Sequence, residues 1–220
     1  MSVLTDPGWV VPPLPPGDGG GMDRLRRSVS RFATGAQHAD RRAAVERALA
    51  ALSPADLRAS ARALTLAEPG AVVPRVPLIV LAGALGVEDP VAVAALVRVV
   101  AAAYFPGSAP SAAADAAADD LLDRVGAVRA GLLVQACAPV AALVTAALER
   151  GTGLDEVLAG EPPPVPATRR FSPDTGETVT VPLTGVPFGA GPRRCPAEPH
   201  ARALAEGVLD ALRAGPLRTG

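Results

Sequence analysis

The chain has 220 residues and a formal net charge of -1, enough length for one or two domains with a real core and too little charge to mark a nucleic-acid footprint. Its two cysteines lie far apart in sequence, which argues against a disulfide scaffold and for a reducing cytoplasm. Apolar residues reach 49% while aromatics stay at 3%, so Ala, Val and Leu supply the core, a composition suited to closely spaced helices. Every Lys or Arg position is Arg, and Asn is absent too, which reads as coding bias rather than function.

Residues 1–21 show neither the basic start nor the apolar stretch of a signal peptide. With Pro clustered near 12–16 and Gly at 19–21, they are expected to form a flexible arm. A short basic helix is predicted over Met22 to Phe32, stopping at Gly35, and a second from Gln37 to about Ala51. Ser53 is an N-cap with Pro54 in the first turn, opening a helix that reaches about Ala67. Val91 to Tyr104 is apolar nearly all round and therefore buried. After a linker from Pro106 to Pro110, an Ala/Asp-rich helix covers Ala112 to Val125. Ala130 to Leu148 carries no charge, but it is Ala-rich, contains Gln135 and Pro139, and lacks the Leu/Ile/Phe density of a spanning segment. It reads as a buried central helix, not a membrane span, and Pro139 should kink it. Phe171 to Val181 reads as a β-hairpin turning at Pro173-Asp174-Thr175-Gly176.

The stretch with chemistry in it is Phe188-Gly189-Ala190-Gly191-Pro192-Arg193-Arg194-Cys195-Pro196-Ala197. A lone thiol ends a Gly- and Pro-rich loop, and the helical spacing of Ala201, Leu204, Ala205, Val208, Leu209 and Leu212 begins soon after it. A helix N-terminus and two neighbouring guanidiniums both favour a thiolate. Such a sulfur suits a metal, and haem iron is one that a single protein sulfur can hold. A zinc site needs three or four ligands, and Cys195 has only His200 near it in sequence, a residue expected at the surface.

In order and spacing, Phe188, Gly191, Arg193 and Cys195 resemble the haem loop of the cytochrome P-450 family, usually written FxxGxRxCxG, with Ala197 in place of the last Gly. The resemblance implies a mainly α, reduced P-450-like helical fold with one small β-hairpin before the haem loop. Residues 1–21 would be an arm and 22–220 a single haem domain. It also implies haem b with Cys195 as the proximal iron ligand. Phe188 and Gly191 would belong to its loop, and Arg193 would pair with a propionate. His38 and Arg42 stand four apart like the family's HxxxR pair, and Arg170, with Arg169 as second choice, follows a Pro-rich run as the family's later propionate Arg does.

Departures from the family bear on mechanism. Gly131 to Ala141 matches the helix that crosses over the haem, with Cys137 at the family's groove position, Pro139 at its acid position and Val140 at its hydroxyl position. Neither Pro139 nor Val140 can carry a proton; Cys137 and Gln135 are the distal-pocket candidates. In Leu154 to Ala159, Ala159 replaces the Arg of the family's ExxR motif and leaves Glu156 without its partner. The resemblance therefore points to an oxidoreductase or other haem-dependent enzyme of bacterial secondary metabolism, acting on a small molecule by peroxide-driven oxidation or by rearrangement or dehydration of an N–O substrate. A ferredoxin-type redox partner or a larger complex is the protein partner it implies. A non-catalytic haem carrier, sensor or complex subunit, and a relative without haem, are the alternatives.

Overall fold

A computed structural model of the chain describes residues 2–17, 19–68, 73–105 and 110–214. Eight helices are seen among them: α1 Gly21–Ser28, α2 Gly35–Ala50, α3 Pro54–Ala67, α4 Arg75–Ala84, α5 Pro90–Ala102, α6 Ala112–Arg150, α7 Leu154–Ala159 and α8 Glu198–Ala214. Strands β1 (Ala167–Phe171) and β2 (Thr178–Pro182) pair antiparallel, with Ala167 opposite Pro182 and Phe171 opposite Thr178. The fold is mainly helical with one small sheet, as the sequence implies. Most of the linker between α5 and α6 lies outside the described residues.

Local chemistry sets the helix starts. The Ser53 hydroxyl accepts from the Asp56 N–H at 3.2 Å, Asp89 from Ala92 at 3.0 Å and Ser111 from Ala114 at 3.2 Å. Each such cap contributes roughly 1 kcal/mol. Pro54 and Pro90 sit just after two of these caps, where a missing N–H costs nothing.

Helix α6 is the axis of the molecule, packed against α1, α2, α4, α5, α7 and α8. Leu121, Leu133, Val144 and Ala147 on it are fully buried. By length and composition alone it could cross a membrane, but half of its most apolar window is covered by the rest of the protein. Its one departure from helical geometry is at Gly126, where φ is +72°. Pro139 keeps helical backbone, so the break lies thirteen residues before the proline that the sequence marks for a kink. The physical reason is that Gly126 reaches the left-handed region without a Cβ clash, whereas Pro139 is already fixed at a helical φ.

Helices α3 and α8 form the other tight pair. A Cβ on Gly207 would sit 2.2 Å from the Arg58 carbonyl oxygen, so only Gly allows the two backbones this close. The N-terminal segment is laid along the hairpin and the Cys195 loop: Val10 exchanges two backbone hydrogen bonds with Phe171, and Leu4 is buried. Glu156 on α7 has no ion pair among the described residues, in keeping with Ala159 where an Arg would stand.

Candidate functional site

Two glycines shape the loop before α8. Gly189 and Gly191 take φ of +74° and +66°, and a Cβ on Gly191 would also meet the Leu4 carbonyl oxygen at 2.8 Å. The loop closes when the Cys195 N–H donates to the Phe188 carbonyl at 2.8 Å. Helix α8 starts three residues later. The Ala197 N–H donates to the Cys195 sulfur and, with Arg42 and Arg194, draws its pKa down, but burial outweighs them and pushes the thiol up. The free side chain is thus a neutral thiol, where the loop-before-helix pattern alone favours a thiolate. Desolvation is what the sequence does not display.

Cys195 opens onto a cleft of about 1030 Å³, at or beyond the top of the usual range for small-molecule sites, about 300–1,000 Å³. Its walls are α2, α6, the hairpin, the Cys195 loop and the segment Val11–Pro15. From α6 come Leu132, Gln135, Ala136, Pro139, Val140 and Leu143, one face at helical spacing. Gln135 is the sole polar side chain of that face, and its amide N–H already donates to the Gly131 carbonyl at 3.0 Å.

Charge in the cleft is one-sided. Six arginines line it, Arg31, Arg42, Arg169, Arg170, Arg193 and Arg194, with His38 and His200, and no Asp or Glu joins them. Arg170 is only 5% exposed, yet its donors reach just the Thr168 hydroxyl and the Arg169 carbonyl. Arg193 donates to the Ala33 carbonyl at 2.6 Å. Burial first, and then the charge of Arg170, lower the Arg193 pKa to about 10. His38 is likewise pulled down by burial and then by Arg193 and Arg42, so its ring is neutral at pH 7. A buried guanidinium and a half-buried one that repel each other form a site suited to negative charge.

Of the residues singled out in the sequence, His38, Arg42, Gln135, Arg169, Arg170, Phe188, Arg193 and Cys195 all line this cleft. Gly191 does not; it shapes the loop from behind, against Leu4. Cys137, a distal-pocket candidate in the sequence, lies outside this lining too, buried on another side of α6 within reach of the charge on Arg98. Ala136, one residue earlier, takes the cleft position.

Two residues escaped the sequence reading. Arg31 reaches the cleft from a 3-10 turn, Ser30–Phe32, too short to show a period. His200 is half-buried and lines the cleft instead of the surface. Its Nε2 lies 3.1 Å from the Leu49 carbonyl and must carry the proton, which leaves Nδ1 a buried acceptor without a partner.

The residues fit haem on the structure's own terms: one metal-binding sulfur set by a backbone N–H, an apolar wall facing it, and uncompensated guanidiniums for two carboxylates. A second, more open groove of about 830 Å³ lies on the other side of Cys195, between α3 and α8. There Arg58 pairs with Glu206 and Asp210, Arg194 with Glu198 and Arg202 with Asp155. That side is already neutralised.

The fold is that of the cytochromes P450. A solved structure, the crystal structure of P450BioI in complex with hexadec-9Z-enoic acid ligated acyl carrier protein, superposes with a TM-score of 0.70 over 96% of this chain and 81% of that chain. Identity over the match is 14%, so the likeness is one of fold. No family model matches the chain, and no curated protein matches it.

Proposed function

We propose that this protein is a haem-thiolate enzyme of the P450 type, with Cys195 holding the iron of haem b. The observation that carries this reading is the cleft: a lone sulfur and four arginines without an acid partner among the described residues line it, inside a P450-like fold. Haem held by one thiolate supplies chemistry that favours O–O cleavage. Cys195 gives up its proton on ligation, and the Ala197 N–H fixes the direction of the sulfur lone pairs. Arg170 and Arg193, with His38 and Arg42 on α2, are the residues that would hold its two propionates.

Across the cleft, Leu132, Ala136, Pro139, Val140 and Leu143 exclude water, and none can donate a proton. Pro139 lacks an N–H, which leaves the Gln135 carbonyl of that turn without its helical donor. General acid catalysis contributes roughly 10²–10⁴-fold where a donor is in place. Its absence on α6 favours reactions whose oxygen donor arrives with its own proton, namely peroxide-driven oxidation or the rearrangement or dehydration of an N–O substrate. P450BioI is seen with an acyl carrier protein, and a protein partner, as substrate carrier or electron donor, fits this chain too.

The experiment compares product formed per oxidant consumed in two regimes, hydrogen peroxide against NADPH with an electron-transfer pair and dioxygen, over a panel of small substrates. Peroxide is expected to couple well and dioxygen to be lost mainly as free peroxide. Tight coupling with NADPH and dioxygen would overturn the assignment of mechanism.

A further inference from the structure

Arg31 and Arg169 are the cleft arginines whose guanidiniums no acceptor in the described residues receives, and of the two only Arg31 is seated on aromatic rings. The Ser30–Phe32 turn carries it to the wall, and its carbon lies 5.0 Å from the centre of the Phe105 ring and 6.0 Å from that of Phe32. No carboxylate or carbonyl accepts its N–H groups, and its side chain remains open to the cleft. Most other arginines in the protein behave differently. Arg26 donates to the Ala103 and Tyr104 carbonyls, Arg150 to Pro162, and Arg24, Arg75 and Arg124 to acids. Stacking on a phenyl face holds a guanidinium while leaving its N–H edge free for a planar anion.

Charge balance says the cleft takes more than haem. Of its six arginines, Arg42 is paired with Glu46 and Arg194 with Glu198. Arg31, Arg169, Arg170 and Arg193 have no acid among the described residues, and a group with two carboxylates matches only two of them. Phe32 and Phe105 flank Arg31, the charge of Arg170 is within its reach, and the same cleft is walled by the Leu132, Ala136 and Val140 side of α6.

We infer that Arg31 anchors the carboxylate of an apolar acid, the substrate, whose hydrocarbon body lies against α6. This rests on the haem-thiolate reading for the two carboxylates subtracted above, and it names the substrate class of the same cleft. A carboxylate takes both N–H donors of the fork at once, whereas an alcohol or ester of equal size leaves the cation buried and unpaired.

The test uses the full chain, haem-loaded and haem-free, in calorimetric titrations with octanoate against octan-1-ol and with 3-phenylpropionate against 3-phenylpropan-1-ol. In both forms the acids are expected to bind at least about tenfold more tightly than the alcohols. Arg31→Gln should remove that preference while leaving alcohol binding and haem retention unchanged, and Arg31→Lys should keep part of it. Thermal unfolding checks that the variants fold. Equal binding of acid and alcohol, no saturable binding of either acid, or an acid preference that survives Arg31→Gln would overturn the inference. So would loss of haem from Arg31→Gln with acid preference intact, which would assign Arg31 to a propionate. If the chain takes up no haem but Arg31 still governs acid preference, the haem reading fails and the anchor stands.

Discussion

The two sides of the Cys195 loop use the same residue type in opposite ways. On the groove side, Arg58, Arg194 and Arg202 each meet an acid, and Arg58 meets two. On the cleft side, Arg31, Arg169, Arg170 and Arg193 meet none. Exposed pairs of the first kind contribute little, about 0–1 kcal/mol each. Of the second kind, Arg170 is buried and Arg193 half-buried, and desolvated cations like these cost free energy until a partner arrives. The contrast separates arginines that dress a surface from arginines that wait for a ligand, and it is drawn by their partners, not by their sequence.

The sharpest break of that contrast removes the cleft pair. Arg170→Gln with Arg193→Gln should weaken haem retention by about a hundredfold or more, since charge-assisted hydrogen bonds contribute roughly 1.5–3 kcal/mol each. The haem-free double variant should stay folded, because it sheds two like charges and no ion pair. Haem transfer to an apoglobin acceptor measures the first effect and thermal unfolding the second.

A smaller effect follows from pH. Cys195 is protonated when free, its pKa raised by burial, and must lose the proton to hold iron. Haem affinity should therefore climb by about tenfold per pH unit through the neutral range, until the thiol pKa is passed. Arg193 works in the other direction: its pKa in the free protein is lowered to about 10, so above that pH it no longer offers charge to a carboxylate. Affinity should fall again there in the wild type, and Arg193→Gln should lack this fall. A flat profile between pH 6 and 9, to be read by equilibrium titration, would mean that no thiol proton is released (about tenfold per unit being the scale expected).

Smallest of all are changes away from the cleft. Cys137→Ala removes a buried sulfur on another face of α6 and should cost about 1 kcal/mol of stability without altering the haem spectrum. Arg58→Ala breaks two exposed ion pairs between α3 and α8 and should cost about 1 kcal/mol or less in chemical denaturation, with haem binding intact.

Much of this was legible in the chain because short-range chemistry writes it there. The cap at Ser53, the turn before β2 and the loop-then-helix around Cys195 all depend on residues within a few positions of one another. His38 and Arg42 were readable as one face of α2 for the same reason. Helix α6 hides its orientation: it is apolar on nearly every side, so nothing in its pattern says that Ala136 and not Cys137 faces the cleft. Arg31 and His200 are illegible in another way. One sits in a three-residue turn, and the other is drawn inward by a carbonyl at Leu49, far away in sequence. The raised thiol pKa depends on burial by the whole fold, which no motif contains.

The central claim is that Cys195 and the cleft above it hold haem through sulfur. The direct measurement is the visible spectrum of haem-supplied protein, reduced under carbon monoxide, for the wild type, Cys195→Ala and Cys137→Ala. The wild type and Cys137→Ala should show the red-shifted Soret band of thiolate ligation, and Cys195→Ala should lose it. The same band surviving in Cys195→Ala, or absent from a folded wild type given haem, would contradict the account.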